Sequence, residues 1–265
     1  MRVEFRPAEA GAGVVFVRDD LVPARRIPAT IEHRIETPRR TTLSCDGAIV
    51  EMVEHVMAAL WGLAIDNCEV HVDAPELPGC DGSSLAYVAA LSAAGIVEQD
   101  ELRRRLVVCE PARVGGDEAW VAAAPTQQGE LRIKYRLDYG NRTPIGRQTL
   151  ELTVTPETFV SQLAPARTFV LQQEAQWLRE RGLGARATFR DLLVFDDEGP
   201  IDNHLRFKDE CVRHKTLDLI GDLALAGCDV AGQITAHRSG HRLNAELVRA
   251  LLAEGEVVEP LRKSA

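Results

Sequence analysis

The sequence predicts an α+β fold of two similar domains, each a small sheet packed on a helix pair, that face each other helix-to-helix. Short strand-like runs alternate with helical patterns, and their order in the first half recurs in the second half. A polar segment at residues 98–105, with three consecutive arginines, separates the halves. We therefore expect one domain at residues 1–100, carrying Glu54 and His55, and another at residues 106–265.

The first half opens with an alternating run at residues 2–5 and an apolar run at residues 14–17, both predicted strands. Residues 41–43 lead into a helix that carries His55. A strand at 68–72, a turn-rich segment at 75–82 and a helix at 84–94 follow, with Ser83 or Ser84 as the helix N-cap.

The second half repeats this order and adds one helix. Its predicted strands lie at 106–109, 120–123, 131–137 and 149–154, before the helix that carries His214. The added helix covers 171–181 and ends at Gly182. A strand at 230–237 and a helix at 244–252 close the half. His55 and His214 thus occupy the first helix of similar units, and these helices should meet at a cleft between the domains.

Composition places the chain among ordinary globular proteins. Its 265 residues are enough for a sizeable core, and a net charge of −9 without a long basic run excludes a nucleic-acid partner. Six scattered cysteines without CxxC spacing indicate reduced thiols. No apolar run has the length of a signal segment or a membrane span. We expect a cytoplasmic monomer.

Residues 211–222 predict an amphipathic helix with a chemically specific face. His214, Asp218 and Asp222 are spaced four residues apart, so they stack on one side over two turns. An imidazole and a carboxylate at this spacing can bind one divalent ion, and the second carboxylate can orient a neighbour. The alternative is a solvated polar face.

A second helical run supplies the missing parts of a catalytic metal site. His55 would complete a His/His/Asp set, which leaves the fourth position open as in catalytic zinc sites. Glu54 would then be free to act as a general base. His241, expected in a turn after a strand, is a candidate general acid with Asp222 as its partner. For both histidines the alternative is an ordinary surface residue.

Several long segments carry a resemblance to a known family. They are VEHVMAALWGLAIDNCEVHVDAPELPGCDGSS (53–84), APARTF (164–169), LRFKDECVRHKTLDLIGDL (205–223) and SGHRLN (239–244), with weaker similarity in IGRQTLELTVTPETF (145–159). In these segments the chain resembles the zinc-dependent UDP-3-O-acyl-N-acetylglucosamine deacetylases of lipid A biosynthesis. The similarity covers nearly the whole chain.

The resemblance implies a role for each matching residue. The implied zinc ligands are His55, His214 and Asp218, and the general base is Glu54. The implied general acid is His241, held by Asp222. Residues matching those that steady the oxyanion and nearby substrate oxygens are Thr168 and Lys215, which by themselves would be read as surface residues. The implied cofactor is Zn²⁺, with Fe²⁺ as the alternative.

The implied substrate is a nucleotide sugar with an acyl chain. Its expected contacts are Phe169, Arg238, Leu183 and Thr188. Arg167 and Arg238 are candidates for binding its anionic parts, with a surface salt bridge as the alternative for each. Residues 183–193 are expected to line an apolar passage for the acyl chain.

The chain departs from the family pattern in two places that bear on function. It begins after the family's first strand and Gly-Leu-His-Ser-Gly-like loop, and Arg186-Ala187-Thr188 replaces Gly-Gly-Ser. Because burying an unpaired guanidinium is costly, we expect Arg186 to lie outside an open passage. Two alternatives stay open: a binding or regulatory protein without turnover, and a deacetylase of a different N-acetylated sugar nucleotide.

Overall fold

The computed structural model describes residues 1–127, 129–180, 188 and 191–258. Gly182, Leu183 and Arg186 lie outside the described residues. The elements of the first half are β1 (Val3–Pro7), β2 (Val14–Arg18), β3 (Arg25–Pro28), β4 (Arg34–Ile35), β5 (Thr42–Cys45), β6 (Ala48–Glu51), α1 (Glu54–Gly62), β7 (Cys68–Val72) and α2 (Leu85–Ala94).

The second half has the same kinds of element in a longer series. They are β8 (Arg105–Val107), β9 (Ala112–Gly115), β10 (Trp120–Ala124), β11 (Leu131–Asp138), β12 (Arg147–Thr153), α3 (Pro156–Thr158), β13 (Phe169–Leu171), α4 (Gln172–Glu180), β14 (Leu193–Phe195), α5 (Glu210–Leu223), β15 (Asp229–His237), α6 (His241–Glu254) and β16 (Glu256–Val258).

The main sheets of the two halves share one strand arrangement. In the first half the order is β1-β7-β2-β3, and β7 runs antiparallel to β1 and parallel to β2. In the second half β10-β15-β11-β12 repeats this order, with β15 antiparallel to β10 and parallel to β11. The helix–strand–helix units α1-β7-α2 and α5-β15-α6 correspond as well. The predicted α+β class and its internal repeat are confirmed.

Helices from the two halves pack directly against each other. Helix α1 lies on α5, while α2 packs on α1 and α6 packs on α5. Eight of the nine residues of α1 are buried, because α1 packs against both α2 and α5. The predicted helix-to-helix contact is therefore present, and it brings the amino-terminal turn of α1 to the middle of α5. The domain limits at residues 100 and 106 stay a prediction.

Some local expectations were wrong. His241 lies not in a turn but at the first position of α6, after an extended Gly240. The Ser84 hydroxyl donates to the His55 carbonyl and does not cap α2, whereas Ser83 Oγ accepts the Leu85 N–H. No helix among the described residues has the length and apolar character needed to cross a membrane.

Candidate active site

Three side chains able to bind a metal ion meet between α1 and α5. His55 is the second residue of α1, and His214 and Asp218 lie one turn apart on α5. One ligand atom from each lies within 4.8 Å of the other two, and all three residues are buried. The imidazole rings stand edge to face with centroids 5.1 Å apart. The fold therefore brings together the three residues that the sequence singled out.

The spacing of these atoms suits a tetrahedral ion. Nε2 of His55 lies 3.6 Å, and Nε2 of His214 lies 3.4 Å, from Oδ1 of Asp218. Zinc bonds of about 2.1 Å put neighbouring tetrahedral ligands about 3.4 Å apart. Nδ1 of His214 donates to the Ala166 carbonyl at 3.2 Å, which leaves Nε2 with its lone pair toward Asp218. The residues present fit a divalent ion.

The surroundings of the cluster favour a neutral His214 and an ionised Asp218, which are the protonation states that bind a metal ion. Burial lowers the pKa of His214 to about 3 against the attraction of Asp218, so the ring is neutral near pH 7. Lys215 Nζ donates to Asp218 Oδ2 at 2.7 Å and leaves Oδ1 beside the histidines. Burial disfavours charge on both Lys215 and Asp218. Their mutual attraction nevertheless raises the pKa of Lys215 and holds the pKa of Asp218 well below its usual range. Asp218 is therefore ionised at neutral pH.

Glu54 places a carboxylate at the edge of this cluster. It is the first residue of α1, directly before His55, and it is 6% exposed. Its Oε2 accepts the backbone N–H of Thr41 at 3.0 Å. Burial raises the pKa of Glu54, and the nearby His241 and His55 oppose the rise. A fixed carboxylate in this position is suited to accept a proton from water.

His241 and Asp222 form a buried pair close to Glu54. Nδ1 of His241 lies 2.8 Å from Oδ2 of Asp222, which also accepts from Asn244 Nδ2 at 2.8 Å. Burial lowers the pKa of His241, but the charge and hydrogen bond of Asp222 raise it to about 9. His241 is therefore protonated at neutral pH. With Nδ1 bound to Asp222, the ring can donate a proton from Nε2.

Residues 164–169 border the metal cluster from a separate loop. The Ala166 carbonyl binds His214, and the ring of Phe169 stands edge to face with His214, with centroids 6.2 Å apart. Between them, the Thr168 hydroxyl donates to the Gly82 carbonyl at 3.1 Å. Phe169 thus lies beside the candidate site, and the role of Thr168 toward an oxyanion stays a prediction.

Arg167 forms a salt bridge, as one of its two alternatives proposed, but the pair is buried and not on the surface. Its buried guanidinium binds both carboxylate oxygens of Glu210, at 2.8 and 3.1 Å. It also donates to Asn203 Oδ1 and to the His204 carbonyl. Arg167 therefore faces neither substrate nor solvent. It fastens the loop that carries Ala166 and Phe169 to the start of α5.

A cleft of about 640 Å³ opens beside Lys215. Its lining includes Tyr139 and two arginines, Arg147 and Arg238. Arg238 pairs with Glu118 at 3.2 Å, and both side chains are largely exposed. Since exposed ion pairs contribute little stability, a bound anion can replace the carboxylate partner at small cost. The contact of Arg238 with a substrate anion stays a prediction.

Thr188 and Leu183 are the other two predicted substrate contacts, and only Thr188 is among the described residues. Thr188 donates from its backbone N–H and its hydroxyl to Asp191 Oδ2, at 2.7 and 2.8 Å, and its contact with substrate stays a prediction. Leu183 and Arg186 lie outside the described residues, so the apolar passage also stays a prediction.

The sequence analysis missed two residues, Thr41 and Asn244, that contact the His241–Asp222 pair. Thr41 Oγ1 donates to Asp222 Oδ1 at 2.6 Å, and Asn244 binds the other oxygen. Asn244 follows His241 by three residues at the start of α6, so a correct helix start would have placed both on one turn. No sequence pattern indicated a role for Thr41. It lies at the start of a predicted strand, and its partner Asp222 is 181 residues away.

Comparison with known proteins agrees with this geometry. A family model described as UDP-3-O-acyl N-acetylglycosamine deacetylase matches residues 1–253. Among proteins named UDP-3-O-acyl-N-acetylglucosamine deacetylase, one from Chlamydia abortus is 40% identical over 97% of this chain and 90% of its own length. Another from Syntrophus aciditrophicus is 35% identical over 97% of this chain and 81% of its own length. The chain belongs to the UDP-3-O-acyl-N-acetylglucosamine deacetylase family.

Proposed function

We propose that the chain is a metal-dependent hydrolase that removes the N-acetyl group of UDP-3-O-acyl-N-acetylglucosamine in lipid A biosynthesis. The observation that carries the proposal is the buried set of His55, His214 and Asp218, with Glu54 and the His241–Asp222 pair close by. The names of the relatives supply the substrate.

Zinc is the proposed metal, held by His55, His214 and Asp218. Two imidazoles and one carboxylate are a common donor set for catalytic zinc, and they also suit ferrous iron. When bound, the ion supplies Lewis-acid polarisation of the amide carbonyl and activation of water. Metal analysis of the purified protein distinguishes the two ions.

Two side chains around the ion carry out the two proton transfers, Glu54 as the base and His241 as the acid. Glu54 takes a proton from the attacking water as the oxygen bonds to the acetamide carbon. Lys215 stabilises the negative charge that develops on the carbonyl oxygen, and Thr168 does so when its hydroxyl hydrogen turns from the Gly82 carbonyl to that oxygen. His241, kept protonated by Asp222, gives a proton to the nitrogen as the C–N bond breaks. The products are acetate and a free amine.

The cleft beside Lys215 is the proposed site for the nucleotide part of the substrate. Arg147 and Arg238 supply positive charge in the cleft lining, where phosphate oxygens would find bidentate donors. Phe169 would contact the sugar beside the metal ligands, and residues 183–193, including Leu183 and Thr188, would contact the acyl chain. Since one chain supplies the whole proposed site, a monomer is sufficient.

The test is a deacetylation assay on the purified protein with its metal content measured in parallel. We expect acetate release from UDP-3-O-acyl-N-acetylglucosamine that is abolished by a chelator and restored by Zn²⁺. Full metal occupancy without turnover would favour a binding or regulatory protein instead. Equal kcat/KM for acylated and non-acylated substrates would favour a different N-acetylated sugar nucleotide.

A further inference from the structure

Thr41 contacts both of the proposed proton-transfer groups. It is fully buried and lies directly before β5, outside every helix that carries the site. Its backbone N–H donates to Glu54 Oε2 at 3.0 Å, and its hydroxyl reaches both Asp222 and His241. Its own carbonyl accepts the Val53 N–H at 3.2 Å, which ties it to the turn before α1. One residue thus joins groups from both halves of the chain.

The hydroxyl of Thr41 can satisfy both neighbours at once. Because Asp222 is an acceptor, the hydroxyl hydrogen points to Asp222 Oδ1 at 2.6 Å. The oxygen lone pairs then face Nδ1 of His241 at 3.2 Å. Nδ1–H of His241 is therefore shared between Asp222 Oδ2, at 2.8 Å, and Thr41 Oγ1. This arrangement fixes the ring plane and leaves Nε2 as the nitrogen that can exchange a proton with substrate.

We propose that Thr41 is a positioning residue that holds the Glu54 carboxylate and the His241 ring in the relative geometry needed for the two proton transfers. The proposal rests on the proposed deacetylase function. Thr41 acts through these groups and needs no contact with substrate. Its loss should therefore lower kcat with little change in KM.

The neighbouring Thr42 provides a matched control. It is also fully buried, but its hydroxyl bonds to Thr37 Oγ1 at 2.8 Å and not to the site. Thr41→Val and Thr42→Val each replace one buried hydroxyl by a methyl group of similar size, so both carry a similar packing cost. Thr41→Ser keeps the hydroxyl and serves as the conservative variant.

The experiment compares kcat, KM and metal content of the three variants with those of the wild-type protein. We expect Thr41→Val to lose about 10- to 100-fold in kcat with full metal content, since it removes a hydrogen bond to a charged group. Thr41→Ser should recover most of the loss, and Thr42→Val should retain wild-type kcat. Equal kcat for Thr41→Val and Thr42→Val would overturn the proposal.

A double-mutant cycle separates positioning from a general structural effect. In an Asp222→Asn background, Thr41→Val should cost little more, because the pair that Thr41 holds is already disrupted. A loss as large as in the wild-type background would overturn the role proposed for the hydroxyl.

A crystal structure of Thr41→Val provides a readout independent of activity. We expect the His241 ring or the Asp222 carboxylate to turn from its wild-type orientation, and both to stay in place in Thr41→Ser. If the wild-type protein has no deacetylase activity, the proposed function fails, and these structures still decide whether Thr41 holds the pair. An unchanged His241–Asp222 pair in Thr41→Val would overturn the positioning role.

Discussion

Gly221 of α5 lies against the backbone carbonyl of Glu54 in α1. A Cβ atom built on Gly221 would stand 2.1 Å from the Glu54 oxygen, far inside any permitted contact. Since Glu54 adjoins His55, and Gly221 is three residues beyond Asp218, this contact sets the distance between the two ligand-bearing helices. The absence of one side chain thus allows His55, His214 and Asp218 to converge.

Gly221→Ala should therefore push the helices apart. Overpacking of this kind costs about 1–3 kcal/mol, and the shift should also weaken metal binding. Thermal unfolding and metal titration measure the two effects. Gly116→Ala is the control, because a Cβ at Gly116 meets no atom within 4 Å. Equal stability and metal affinity in both variants would contradict the role given to the helix crossing.

His214→Ala should yield a folded protein that no longer retains a stoichiometric metal ion. The substitution removes one of three ligands and leaves two, which is too few for tight binding at a catalytic site. Elemental analysis after dialysis measures the loss. His204→Ala, which changes an exposed histidine outside the cluster, should keep the metal. Retention of one tightly bound ion by His214→Ala would exclude this ligand set.

Glu54→Gln should retain the metal and lose most turnover. The glutamine carbonyl can still accept the Thr41 N–H, so local geometry is kept while the proton acceptor is removed. Loss of a general base typically costs about 10²–10⁴-fold. Steady-state kinetics with a parallel metal assay check this prediction. Near-normal kcat at full metal occupancy would assign the base to another group.

Asp222→Asn should move the alkaline limb of the kcat/KM profile to lower pH. His241 must be protonated to act as an acid, so activity falls as pH rises through its pKa, which Asp222 raises to about 9. Without the carboxylate charge, burial lowers that pKa by about one unit or more. If the alkaline limb lies at the same pH in Asp222→Asn and in the wild-type protein, it reflects the titration of a group other than His241.

Arg238→Ala should raise KM for the nucleotide sugar by about tenfold, the value of one lost charge-assisted hydrogen bond. Arg132→Ala is the control, since Arg132 pairs with Glu151 at another exposed position of the same sheet. The increase in KM caused by Arg238→Ala should be smaller at high salt, because salt screens the exposed charge of Arg238. Equal KM values for both variants would place the nucleotide elsewhere.

The parts of the site that the sequence predicted are those with a local pattern. His214 and Asp218 share one helical face, and Glu54 adjoins His55, so their grouping follows from spacing along the chain. The order of the repeated elements along the chain also followed from local runs, whereas the order of strands within each sheet did not. For Thr168 and Lys215, only the resemblance to a family indicated a role.

The parts that the sequence did not predict depend on distant contacts. Thr41 and Asp222 are 181 residues apart, and no local pattern joins them. The burial of the Arg167 salt bridge was not predicted, because its partner Glu210 lies 43 residues away and becomes a neighbour only through the fold. The three-residue strands β13 and β14 pair in parallel and are too short to show a period.

The division of the site between the two halves of the chain has a consequence for folding during synthesis. The ribosome releases the half with Glu54 and His55 well before the half that carries the remaining ligands and His241. Until that second half has folded against the first, the nascent chain has no complete set of ligands and no acid. Acquisition of activity therefore requires the contact between the two halves, and formation of either sheet alone does not supply it.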